Sequence, residues 1–138
     1  MGAAQQTEIA TGHILCVDDE QDILSIAKTS LEAIGGFQVS CCNSGVEALE
    51  WLQKGRPDLV LLDVMMPNMG GPSTLKQIQK LPNCKDLPVV FMTARVQPQE
   101  VEAYLALGAS QVISKPFDPM MLSEQVQTIL DQQQPHAE

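Results

Sequence analysis

Four places in this chain hold side chains that could bind a metal ion or handle a phosphoryl group: Asp18-Asp19, Asp63, Thr93 and Lys115. Each follows directly on a short β-rich run: His13–Val17, Leu59–Leu62, Pro88–Met92 and Gln111–Ser114. If the runs His13–Val17 and Leu59–Leu62 are neighbours in a sheet, three carboxylates meet at one end of it. Two unit charges about 4 Å apart repel by roughly 4 kcal/mol at an effective dielectric near 20, so three pairs cost on the order of 12 kcal/mol. Protons or a divalent cation must relieve that repulsion. Oxygen-only ligands with room for water suit Mg²⁺ or Mn²⁺. An EF-hand is excluded, because Ile23 stands where that loop needs glycine.

Taken alone, Asp18, Asp19, Glu20 and Asp22 are explained as well by the dipole of a following helix. Asp63 resists such an explanation. It lies between Val60-Leu61-Leu62 and Val64-Met65-Met66-Pro67, and a charge against an apolar strand needs a partner. Lys115 also ends a strand, with Pro116 biasing it toward extended backbone. Facing three acids and a phosphoryl group, it becomes a counter-ion. Thr93 by itself is a weak signal.

The elements that must position these residues alternate. A further β-rich run, Phe37–Cys41, ends without evident chemistry in Cys42-Asn43. Between the runs lie stretches of helical period: Glu20–Ile34, Gly45–Gln53, Pro72–Leu81, Pro98–Leu107 and Pro119–Leu130. Ser44-x-x-Glu47 reads as a capping box, with Glu47 reaching back to Ser44. Asp118 reads as an N-cap, and Pro72, Pro98 and Pro119 fit first helical turns. Gly35-Gly36, Gly55 and Gly108 mark helix ends. Strict β-α alternation with nearly all-apolar central strands predicts an α/β, doubly wound parallel sheet of five strands with helices on both faces. Ligands of such sheets bind beyond the carboxyl ends of the strands, where all four chemical positions fall.

Composition narrows the function. The 138 residues suit one domain that buries about two thirds of its unfolded surface. That domain is expected over residues 13–131, with polar tails at 1–12 and 132–138. A net charge of −9, with the eight bases scattered, argues against direct nucleic-acid binding. No apolar run approaches the ~20 residues of a membrane span, and no signal peptide is visible, so a cytoplasmic protein is expected. Met1-Gly2 lacks the hydroxyl residue of a myristoylation motif, because Gln6 stands there. Cys16, Cys41, Cys42 and Cys84 form no C-x-x-C pair, and His13 and His136 add no ligand spacing. Cys16 and Cys41 read as small core fillers.

The ordered set Asp18-Asp19, Asp63 with Met66-Pro67, Thr93-Ala94 and Lys115-Pro116-Phe117 resembles the receiver domain of bacterial response regulators in two-component signalling. The resemblance runs from about His13 to Leu130. It implies a flavodoxin-like fold with strand order 2-1-3-4-5 and a phosphoacceptor at Asp63. It further implies Mg²⁺ held by Asp19, Asp63 and the Met65 carbonyl, with Asp18 acting mainly through water. Thr93 and Lys115 would contact phosphoryl oxygens and switch partner binding. The implied partners are a sensor histidine kinase or histidine phosphotransfer protein and a downstream protein target, for a monomer or weak dimer. Its own chemistry would be slow self-phosphorylation and dephosphorylation, not turnover as an enzyme.

Three positions depart from the family pattern. Val112 stands where an aromatic switch residue is common, Gly70-Gly71 replaces Asp-Gly in a loop, and Met120–Leu130 carries no Lys or Arg. Met65, Met66 and Met69 read as loop packing. Competing readings fit less well. A haloacid-dehalogenase-like phosphatase needs a second Asp where Met65 stands, and an FMN carrier needs hydroxyls where Asp18-Asp19-Glu20 stand. A phosphate-independent module would not need all five site residues. With few residues after Leu130, a stand-alone or excised receiver is expected.

Overall fold

The computed structural model describes residues 12–133. Five strands and five helices alternate: β1 (His13–Val17), α1 (Gln21–Ala33), β2 (Gln38–Cys42), α2 (Gly45–Lys54), β3 (Leu59–Asp63), α3 (Gly71–Gln79), β4 (Val89–Thr93), α4 (Pro98–Ala106), β5 (Gln111–Ser114) and α5 (Leu122–Gln133). A single 3₁₀ turn, Pro82–Cys84, precedes β4. The sheet is parallel throughout, in the order β2-β1-β3-β4-β5. The expected α/β doubly wound fold with strand order 2-1-3-4-5 is therefore the one found.

Side-chain alternation along the strands builds two cores. Leu15, Val17, Val60, Leu62, Val89 and Phe91 point to one face, where they meet Ala48 and Leu52 of α2 and Leu75 and Ile78 of α3. Ile14, Cys16, Leu59, Leu61, Val90 and Met92 point to the other, against Leu24, Ala27 and Leu31 of α1 and Val126 and Ile129 of α5. Burial on both faces explains why β3 and β4 read as unbroken apolar runs. Helix α4 has no buried residue. It rests on the sheet through half-buried Tyr104, whose ring stands edge-on to Phe91 at 5.3 Å.

Several boundaries differ from expectation. β2, β3 and β4 each end one residue later, so Asp63 and Thr93 close their strands instead of opening loops. The parallel ladder pairs Asp63 with Met92 and Thr93 with Ser114, and backbone pairing is indifferent to side-chain polarity. Helix α3 stops at Gln79, after which Lys80 and Leu81 donate to Gln77 and Ile78 in a tighter turn. Pro119 lies in a turn ahead of α5, where Asp118 accepts from the Met120 N–H at 2.9 Å. α5 runs on to Gln133, past the expected end at Leu130.

The capping box is half as expected. Ser44 accepts from the Glu47 N–H at 3.1 Å, but Glu47 reaches the Asn43 N–H (2.6 Å), one residue further back. Gly36 and Gly108 adopt positive φ, whereas Gly55 is extended at −155° and ends α2 without a left-handed turn. Cys16 is buried as expected. Cys41, its register partner, is exposed because β2 is an edge strand. Among the described residues no helix is long and apolar enough to cross a membrane. Positions 1–11, including Gln6, and 134–138, including His136, lie outside the described residues, so most of both expected tails does too.

Candidate functional site

The order of the strands decides which side chains meet. β1 and β3 are adjacent, so Asp18 and Asp19, just past β1, come beside Asp63 at the end of β3. One carboxylate oxygen from each of the three lies within 4.8 Å of the others. Asp18 and Asp63 are buried, and Asp19 faces solvent. Three oxygen donors this close together fit a hard divalent cation.

Lys115 enters from β5 across the sheet. Its Nζ lies 2.9 Å from Asp18 Oδ2 and 3.1 Å from Asp63 Oδ1, with Glu20 Oε1 at 3.5 Å. The Lys115–Pro116 peptide is cis. Burial opposes the lysine's charge, but hydrogen bonds to Asp18 and Asp63 outweigh it and hold its pKa above the ordinary value. For Asp63 the balance runs the other way. Burial raises its pKa most, the Lys115 hydrogen bond lowers it, and the charge of Asp18 raises it again, to about 6. Asp63 is thus a carboxylate whose negative charge is disfavoured first by burial and then by the neighbouring Asp18. Its Oδ2 accepts no hydrogen bond among the described residues.

Thr93 closes β4, next to β3, and is buried. Its Oγ1 accepts from the Arg95 N–H at 3.0 Å, and the hydroxyl proton has no acceptor among the described residues. It can therefore donate to an incoming oxygen. Met65 lies two residues past Asp63 with an exposed side chain, and its carbonyl accepts no hydrogen bond among the described residues. Met66, by contrast, is part of the core.

Two features escaped sequence reasoning. Gly71 opens α3 pressed against the end of β3, where an added Cβ would stand 2.9 Å from the Asp63 carbonyl oxygen and the Val64 Cα. Its role is close approach to the phosphoacceptor candidate rather than loop flexibility. Glu20, one more acid in an acidic stretch, carried no signal that it would touch a lysine far along the chain.

A family model described as "Response regulator receiver domain" matches residues 14–127. The chain belongs to that family. The receiver is 38% identical over 120 residues to response regulator SaeR of Staphylococcus aureus, a match covering 86% of this chain and 50% of that protein. The chain therefore spans about half the length of the curated relatives it matches. Among solved structures, chemotaxis response regulator CheY4 of Vibrio cholerae superposes with a TM-score of 0.80 at 31% identity, covering 85% of this chain and 97% of that one. The N-terminal domain of a response regulator receiver protein from Methanoculleus marisnigri gives 0.70 at 38% identity, covering 86% and 96%. Receivers of this family are signalling domains of two-component systems, generally phosphorylated on an aspartate. The receiver's acidic pocket is the family's expected place for Mg²⁺.

Proposed function

We propose that this receiver accepts a phosphoryl group on Asp63 in a Mg²⁺-dependent reaction and signals through Thr93 and Lys115. The observation that carries this is Asp63 itself: buried at a strand end, bound to Lys115, and within ligand distance of Asp18 and Asp19. An Asp63 oxygen forms a bond to phosphorus as the bond from phosphorus to the donor breaks, and the donor group leaves with the electron pair. Lys115 neutralises charge on the transferred group, and the Thr93 hydroxyl donates to one of its oxygens. Asp19, Asp63 and the Met65 carbonyl would hold Mg²⁺, with Asp18 acting through water, and the bound ion would supply further charge neutralisation; Mn²⁺ has the same ligand preference. The donor would be a sensor histidine kinase or histidine phosphotransfer protein, and the output a contact with a downstream protein. The chain's acidity supports protein partners over nucleic acid. The receiver would be a cytoplasmic monomer or weak dimer with only slow self-phosphorylation and dephosphorylation chemistry of its own. Incubation with acetyl phosphate and Mg²⁺ tests the reading directly: intact mass should rise by one phosphoryl group, with the label on Asp63.

Metal capture has its own test. Adding Mg²⁺ should raise the melting temperature by linkage. Asp19→Ala should abolish most of that rise, and Asp22→Ala, altering an exposed acid within α1, should leave it nearly intact. Equal losses in the two variants would mean that the acidic stretch merely serves the helix dipole.

The switch should run through the β4–α4 segment. Val112 is half-buried in the core that Tyr104 also packs against, and a β-branched side chain has no ring to rotate inward. Helix α4 is the one α-helix among the described residues with nothing fully buried, and few buried apolar contacts mark a segment that moves readily. Hydrogen exchange in Mg²⁺ with and without beryllofluoride should therefore change most over residues 93–107 and only modestly over 111–114. Changes confined to 111–114 would refute this route.

A further inference from the structure

We propose that Glu20 is a charge filter at the mouth of the site, disfavouring small, multiply charged phosphodonors while strengthening cation capture. This rests on Asp63 being the phosphoacceptor. Three acids surround the Lys115 ammonium, and they are not alike. Asp18 and Asp63 have side chains only 4% and 5% exposed and lie 2.9 and 3.1 Å away, whereas Glu20 is 63% exposed at 3.5 Å.

The Glu20 backbone is fixed on both sides. Its N–H donates to Asp18 Oδ1 at 2.9 Å, and its carbonyl accepts from the Ile23 and Leu24 N–H groups at the start of α1. The pinned main chain thus fixes the point from which the solvent-facing carboxylate reaches Lys115. An exposed ion pair of this kind contributes little to holding a lysine that two buried partners already hold. What Glu20 adds is its charge, exposed to solvent beside the Lys115 ammonium.

The physics gives opposite signs for the two ligands. At roughly 6 Å through water and physiological salt, one negative charge disfavours a dianion by about threefold and favours a dication by about as much. A donor carried by a partner protein brings its own contact energy and is less affected. A free dianion such as acetyl phosphate bears the whole penalty.

The test compares the parent with Glu20→Gln, Glu20→Lys and, as a control of equal charge change, Asp22→Asn. Asp22 is exposed and forms no ion pair among the described residues. At saturating Mg²⁺, Glu20→Gln should be labelled about threefold faster by acetyl phosphate and Glu20→Lys about tenfold faster, both gains shrinking in 1 M salt. Phosphoramidate, with a single net negative charge at neutral pH, should gain less. The same variants should bind Mg²⁺ more weakly, about threefold for Glu20→Gln. A structural role for Glu20 would instead slow labelling and weaken Mg²⁺ together. Unchanged or slower acetyl phosphate labelling in Glu20→Gln, or an equal gain in Asp22→Asn, overturns the filter. A parent that is never labelled on Asp63 overturns the phosphoacceptor reading beneath it, and the two failures are told apart by the parent alone.

Discussion

Asp63→Asn should bring labelling by acetyl phosphate and Mg²⁺ to background, because the amide can neither attack phosphorus nor offer an anionic ligand. The effect is all-or-none, and intact mass with peptide mapping reads it. Equal labelling of the variant at another residue would remove Asp63 from the mechanism. The same substitution should raise the melting temperature of the metal-free protein at pH 7. The native pKa of Asp63, about 6, lies above its ordinary 3.8, so the folded state holds the proton more tightly. Stability therefore falls as pH rises between those two values and stays at the lower level above them, a cost on the order of 3 kcal/mol at neutral pH. Asparagine removes that cost and forfeits the charge-assisted bond to Lys115, which returns part of the gain. The advantage of the variant over the parent should shrink as pH is lowered from 7 to 4. Mg²⁺ should also narrow it, because the metal stabilises only the parent strongly. A variant less stable than the parent at pH 7 without metal would mean that the Lys115 contact outweighs the crowding.

Lys115→Ala should be the most damaging single change at the site. It leaves Asp18 and Asp63, both nearly buried, facing each other with no cation. Removing one partner of a buried charge pair costs about 3–5 kcal/mol, since the remaining charge stays desolvated. The metal-free variant should melt well below the parent. Part of the loss should return in Mg²⁺, which can neutralise the same carboxylates, and part on acidification, as Asp63 takes up a proton. Phosphorylation should slow strongly without being abolished, because the acceptor itself remains. Thermal melts in EDTA and in Mg²⁺ test this, and an unchanged melting temperature in EDTA would show that the lysine contributes nothing to relieving the charge.

Sequence patterns are legible where the physics is local. The apolar runs around Val60–Leu62 and Val89–Met92 demanded burial on both faces, and the helical periods between them demanded crossovers, so the doubly wound sheet followed. The placement of Asp18-Asp19, Asp63, Thr93 and Lys115 at strand ends followed too, because strand boundaries are written in side-chain polarity. Even there Asp63 and Thr93 proved to be inside the ladder by one residue, since hydrogen-bonded pairing depends on the neighbouring strand.

What only the tertiary structure decided is direction and distance between parts far apart in the chain. Nothing local says that Lys115 bonds Asp18 and Asp63 rather than water, or that Glu20 rather than Asp22 completes its shell. Nothing local separates Cys16 from Cys41, which face each other across two strands, one buried and one exposed. The Gly70-Gly71 pair reads only as part of a loop until α3 is seen pressed against the Asp63 carbonyl. Periodicity and caps are properties of neighbouring residues, so one sequence suffices to find them. Contacts across the sheet depend on which strand lies beside which and which end faces solvent, and that is fixed only when the whole chain packs.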